Sequence, residues 1–217
     1  MNQTLQVLQT NVGRPREFEF RGIRIQSSMI KSKSPGPLKV GLLNIEGDRF
    51  ADPRFHGRPF SVVYAYGWPH LQQYTEAIGV NSVEMGAVGE NLTLDQLEES
   101  QVNVGDRFAV GSCILVARAP RIPCAKLNFR FQVEQAQKIF LNSDHPGVYF
   151  SVEEPGEIKM GDRLSKLSKA EQSFSILEMY KILVRRHTPN RERLEEIINN
   201  PHLADGFSAK FEKLRSH

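Results

Sequence analysis

Cys124 stands in the run Pro120-Arg121-Ile122-Pro123-Cys124-Ala125-Lys126-Leu127-Asn128, with a cation on either side of its thiol. Two nearby positive charges favour a thiolate over a thiol and make the sulfur a better nucleophile or soft-metal ligand. Pro120 and Pro123 stiffen the connection and limit how far the sulfur can wander. The competing reading is an inert packing cysteine, the commoner fate of a free thiol. Cys113 serves as an internal control. It sits beside Gly111 in the apolar run Cys113-Ile114-Leu115-Val116-Ala117 with no adjacent cation, and is read as a small packing residue or strand end. The two thiols should therefore differ in reactivity.

Other chemistries are excluded by what is missing. The sequence has no Gly-x-x-x-x-Gly-Lys-Ser/Thr, no Gly-x-Gly-x-x-Gly, no His-Glu-x-x-His and no Cys-x-x-Cys, which argues against P-loop phosphotransfer, zinc proteolysis and a Cys₄ iron–sulfur cluster. Hydrophobic residues make up 40% of the 217 and charged residues 24%, the composition of a folded globular protein. Two cysteines are too few for a disulfide scaffold. Residues 1–24 lack the apolar core of a signal peptide, and no stretch is apolar enough to span a bilayer, so a cytoplasmic protein with no membrane partner is expected. A net charge of +3 mildly favours anionic ligands without the basic surface of a dedicated nucleic-acid binder.

The elements that must position the thiol read as short strands punctuated by Gly, Pro, Asn and Asp. Expected strands are Leu5 to Gln9, Phe18 to Ile25, Lys39 to Ile45, Ser61 to Tyr66, Arg107 to Val110, Cys113 to Ala117, Val148 to Val152 and Arg163 to Leu167, forming a sheet or barrel. Gly47-Asp48-Arg49, Gly105-Asp106-Arg107 and Gly161-Asp162-Arg163 read as turns, because glycine admits positive φ and aspartate bonds nearby backbone. Helices are expected at Pro69 to Ile78 and Val133 to Asn142. Trp68 reads as a core aromatic at the start of the first. After Ser168 the period changes to that of helices, at Ser175 to Arg186, Arg191 to Asn199 and Ser208 to Arg215, with Asn190 and Ser208 in N-cap positions. The fold class is mainly β: a barrel with a few helices over residues 1–168, then a small three-helix C-terminal domain over 169–217.

Several blocks together resemble a known family. Gly89-Glu90-Asn91-Leu92, Val104-Gly105-Asp106 and Arg121 to Asn128 look like a MOSC domain, the C-terminal domain of molybdenum cofactor sulfurases. Gly47-Asp48, His56-Gly57, Tyr149-Phe150-Ser151-Val152 and Pro155-Gly156 extend the likeness, which covers roughly residues 38 to 167 and is strongest to the stand-alone bacterial YiiM type with its C-terminal three-helix domain. The resemblance implies a MOSC-type β-barrel in which Cys124 coordinates the molybdenum of a molybdopterin cofactor. Arg121 and Lys126 would face its anionic groups, Asn128 belongs to the same block, and Glu90 and Asn91 would bond the pterin edge. Pyridoxal phosphate is not expected. His56 reads equally as a turn residue and as a ligand contact. The family commonly has His-Gly-Gly-Pro followed by an acid, whereas this chain has His56-Gly57-Arg58-Pro59-Phe60. Arg58 thus removes a glycine that lets backbone approach a ligand, or adds a cation for the pterin phosphate.

The resemblance also implies reduction of N-hydroxylated compounds, such as N-hydroxylated purine bases, as small-molecule substrates. Lacking dinucleotide and cluster motifs, the chain would draw electrons from a partner, a flavoprotein reductase or a ferredoxin-like protein. The alternative is a carrier that holds molybdenum cofactor or a persulfide sulfur without turnover. A third reading, DNA binding by Lys181, Arg185, Arg186, Arg191 and Arg193, is weakened by the interleaved Glu178, Glu192, Glu195 and Glu196, which suit a solvated face.

Overall fold

The computed structural model describes residues 4–49 and 59–215. In chain order the strands are β1 (Thr4–Gly13), β2 (Arg16–Phe20), β3 (Ile23–Ser27), β4 (Lys31–Lys33), β5 (Leu38–Val40), β6 (Val63–Gly67), β7 (Leu92–Leu94), β8 (Arg107–Val110), β9 (Cys113–Pro120), β10 (Val148–Glu154), β11 (Gly156–Ile158) and β12 (Arg163–Ser168). The α-helices are α1 (Trp68–Ala77), α2 (Lys126–Phe131), α3 (Ala136–Asn142), α4 (Ile176–Leu183), α5 (Arg191–Ile198) and α6 (Asp205–Arg215). Seven strands close on themselves in the order β12-β8-β9-β10-β6-β7-β1, with β1 pairing back onto β12. Closure removes the unpaired edges an open sheet would expose. Only β6 and β7 run parallel among the barrel pairs. The expected mainly-β barrel is therefore the observed fold, and no helix among the described residues is long and apolar enough to cross a membrane.

Alternation along the strands sorts side chains between two apolar clusters. On β6, Val63 and Ala65 join the barrel interior with Leu5, Val7, Leu115, Ala117, Val148 and Phe150, while Tyr64 and Tyr66 face outward beneath α1, α2 and α3 with Leu71, Tyr74, Phe131 and Phe140. Each fully buried Leu or Phe contributes about 1.5–3 kcal/mol of transfer free energy. The strand is buried on both faces, so it forms a wall between core and helices.

Two strands expected to be continuous are broken. Phe18 to Ile25 is a hairpin of β2 and β3, because Arg21 and Gly22 both take positive φ (51° and 75°) as a tight primed turn requires. Lys39 to Ile45 ends as a strand at Val40. Gly41 N–H then donates to Asn44 O, and Ile45 returns to bridge Val40. The glycines of the three Gly-Asp-Arg turns have φ of 81°, 93° and 91°, as their turn role demands. Asp106 and Asp162 accept from the nearby amides of Asn103 and Lys159.

The C-terminal helices share one apolar cluster with the barrel through Ile176, Met179, Ile182, Leu194, Ile197, Phe207 and Phe211. Ser175 caps α4 by accepting from Glu178 N–H, and Asn190 caps α5 by accepting from Arg193 N–H. Ser208 is not an N-cap. Helix α6 begins at Asp205, whose carboxylate suits the first turn of a helix, and Ser208 lies inside it. Phe60 packs its ring 5.3 Å from that of Phe207 on α6.

Candidate functional site

Strand β9 carries the critical run to the end of the barrel. Against β10 its register slips between Tyr149 and Phe150, which oppose Ala119 and Ala117, so Arg118 is an extra residue in a bulge. Beyond Pro120 the chain leaves the sheet, and Lys126 opens α2. Arg121, Cys124 and Lys126 are thereby placed on the wall of one cavity of about 360 Å³, together with Lys31, Asp48, Asn91, Tyr64 and Tyr149. That volume suits a small-molecule ligand.

Arg121 is only 7% exposed. Its guanidinium lies 5.2 Å from the Tyr64 ring centroid and 5.8 Å from that of Phe140. Among the described residues no carboxylate lies within ion-pairing distance of it. Burial by itself would lower its pKa, but the oxygens of Tyr64 and Tyr149 and the Cys124 sulfur outweigh that and hold the cation firmly charged. Gly89 beside it holds a positive φ (88°), and a Cβ there would press on Met29 O at 3.2 Å while only touching the Arg121 Nη1 at 3.7 Å. A buried cation with no anionic partner demands one.

The opposite wall is self-neutralised. Lys31 and Asp48 form a buried ion pair. Burial lowers the Lys31 pKa, and Asp48 partly offsets the drop. The same carboxylate accepts from Asn91 Nδ2 at 2.9 Å and from Gly13 N–H at 2.7 Å. Asn91 is fully engaged, since its Nδ2 also donates to Asn11 O and its Oδ1 accepts from Tyr64 N–H. It lines the cavity as a brace.

The remaining expected site residues divide. Glu90 does not line the cavity. Its buried carboxylate accepts from Gly86 N–H, Val88 N–H and Thr93 Oγ1, stiffening the turn beneath Gly89, and burial raises its pKa. Asn128 is also turned away: its Oδ1 accepts from Gln137 N–H at 2.8 Å, tying α2 to α3. His56 and Arg58 lie outside the described residues. Sequence reasoning missed Lys31, Tyr64 and the cavity-lining role of Asp48. Only Asp48, inside a matched block, carried a local signal.

The two cysteines differ in exposure. Cys124 is exposed, whereas Cys113 is buried and its thiol is pushed up to about 11 by burial and by Asp162 and Glu157. A limiting thiol reagent at neutral pH should label Cys124 fast and Cys113 only as the protein unfolds. Peptide mapping by mass spectrometry reads this directly, and equal labelling of the two would contradict it.

The MOSC domain family profile matches residues 52–165, more than half of the chain and the whole stretch from β6 to the cysteine. The chain belongs to the MOSC domain family. As a family, MOSC domains are associated with binding of the molybdenum cofactor. Among relatives, the uncharacterized protein YflK of Bacillus subtilis is 30% identical over 207 residues, covering 95% of this chain and 93% of that protein. A protein named "Reductase" from Gibberella moniliformis is 29% identical over 184 residues, 83% of this chain but 32% of its own length. The crystal structure of YiiM from Geobacillus stearothermophilus superposes with a TM-score of 0.79 at 26% identity, covering 97% of this chain and 99% of that one. The coverage includes the C-terminal helices, so this MOSC protein shares the YiiM architecture along nearly its whole length.

Proposed function

We propose that the cavity holds the molybdenum cofactor through Cys124 and that the protein reduces N-hydroxylated bases. What carries the reading is the pairing, on one wall, of an exposed thiol with a buried guanidinium that has no carboxylate partner among the described residues. These residues fit the group: a soft sulfur for the metal, and Arg121 with Lys126 for a pterin phosphate, Arg121 able to engage two oxygens at once. When bound, the cofactor supplies two-electron oxygen-transfer chemistry. The chain's own part is positional. The Arg121 guanidinium, seated against Tyr64 and Phe140, fixes where the phosphate lies, and the Lys31–Asp48–Asn91 brace keeps the opposite wall rigid. Ser28 lines the cavity with a buried hydroxyl that has no protein partner, a free group for a polar edge of cofactor or substrate.

Reduction of an N-hydroxyl to N–H takes two electrons and two protons and releases water. The sequence has no motif to store those electrons, so a flavoprotein or ferredoxin-like protein delivers them. The name of the fungal relative agrees with a reductive role.

Metal analysis after expression in a molybdenum-replete host tests the assignment. Cys113→Ala should retain molybdenum and Cys124→Ala should lose it, and equal contents in the two variants would remove the basis of the proposal. Loaded protein given a reduced artificial donor should oxidise it only when an N-hydroxylated purine is present. Metal retained without any such oxidation would reduce the role to carriage.

A further inference from the structure

Away from the cysteine cavity, three side chains from separate parts of the chain converge. His70 lies in the first turn of α1, Glu99 in the connection after β7, and His145 in the connection from α3 to β10. Their donor atoms all lie within 4.8 Å of one another. His145 Nδ1 is 3.4 Å from Glu99 Oε2, and His70 Nδ1 is 4.0 Å from the same oxygen. None of the three lines the cavity around Cys124.

What points to a ligand is the unfinished bonding of His70. Its side chain is 8% exposed, and its Nδ1 has no hydrogen-bond partner. A buried nitrogen left without a partner is costly. Glu98 lies 3.9 Å from the other nitrogen, Nε2, and with the proton there the lone pair of the ring falls on Nδ1, on the side of Glu99. Glu99 is 1% exposed, an expensive place for a carboxylate. One of its oxygens accepts from Gly147 N–H at 2.8 Å, and the other faces the two imidazoles. A Cβ on Gly67 would stand 3.0 Å from His70 Nδ1, so glycine at that position keeps the space beside the nitrogen open.

We infer that His70, Glu99 and His145 form a second metal site, for a divalent transition-metal ion of the zinc class. Two imidazole nitrogens and a carboxylate oxygen are the donors such ions prefer, and three protein ligands leave a fourth position for water. The ion takes the place of the proton that His145 shares with Glu99 and supplies the missing partner of His70. The imidazoles stack with centroids 3.4 Å apart and planes 16° apart. Lone pairs of parallel rings do not converge, so one ring turns about its Cβ–Cγ bond on binding. His145, 30% exposed and on a connection, is the ring able to turn.

The test uses full-length protein stripped with chelator and titrated with Co²⁺. Wild type should bind one equivalent, gain visible d–d absorption, and lose it to Zn²⁺. Cys124→Ala should keep that behaviour, which separates this site from the cysteine cavity. His145→Gln, at the most exposed ligand, should bind at least ~100-fold more weakly, beyond the loss typical of an outer-shell partner. A fold-independent reading comes from wild type alone: one equivalent of Zn²⁺ should shift the imidazole nitrogen resonances of His70 and His145 in NMR. The assignment is overturned by absence of stoichiometric binding to wild type, by unchanged affinity in folded His145→Gln, by loss in Cys124→Ala, or by unmoved His70 and His145 resonances.

Discussion

Asp48→Ala is expected to destabilise the protein by about 3–5 kcal/mol, the cost of stranding a buried charge. Lys31 and Asp48 are both almost fully buried, and the carboxylate also collects donors from Asn91 and Gly13. Losing it leaves the Lys31 ammonium without its paired carboxylate and removes one acceptor each from Asn91 and Gly13. Lys31→Met should cost less, because Asp48 keeps its two other donors. The double variant should lose less than the sum of the two singles, and urea melts of all four proteins measure the coupling. The alkaline limb gives an independent check. With Asp48 gone, burial acts on Lys31 unopposed by that partner and depresses its folded pKa further below the ordinary 10.5. A lysine depressed on folding destabilises most below its folded pKa, and the penalty fades as pH rises toward the unfolded value. The deficit of Asp48→Ala should therefore shrink between neutral pH and about 10. A deficit that is flat or grows over that window would contradict the buried-pair account.

Arg121→Met should separate binding from folding. Its guanidinium rests on Tyr64 and Phe140 and, among the described residues, strands no carboxylate, so replacing it by an apolar chain of similar length should leave the thermal midpoint unchanged or slightly raised. Under the proposed function, the same change removes the charged, forked contact to an anionic cofactor. Truncating such a buried charged partner costs about 2–5 kcal/mol, or roughly 30-fold to several thousand-fold in affinity. Molybdenum content per protomer should drop below about a tenth of wild type. Arg121→Lys should rescue only part of it, since an ammonium cannot grip two oxygens in one plane. Wild-type metal content in a folded Arg121→Met protein would remove Arg121 from the site.

The parts of this molecule that could be read from sequence are those whose signal is local. The Pro120–Asn128 run announces a braced thiol between cations within nine residues, and the period-2 runs on β8 and β10 follow from side chains that alternate between core and outside. The β2–β3 turn was hidden because Arg21 holds a positive φ where Asn or Gly would have advertised it. The start of α6 was misplaced at Ser208 because Asp205 also suits a helix start, and the choice between them is made by packing of Phe207 and Phe211. Glu90 and Asn128 sit in matched blocks, yet their side chains turn into the protein, and no local pattern tells which way a residue faces. The Lys31–Asp48–Asn91 brace and the His70–Glu99–His145 cluster are assembled by barrel closure from distant segments. A sequence without a partner alignment carries no trace of such meetings.

The extra residue at Arg118 has a consequence for how the barrel tolerates change. Facing directions on a strand alternate, so in an unbroken ladder the count of residues between Ala117 and Arg121 would set the parity of everything downstream. With the bulge, Arg121 emerges on the same side as Tyr64 and Tyr149. Remove Arg118 and the same pairs, Ala117 with Phe150 and Ala119 with Tyr149, would close as an unbroken ladder with Arg121 on the same side. One residue's worth of length at this strand end is thus absorbed by the ladder without moving the wall that carries the thiol.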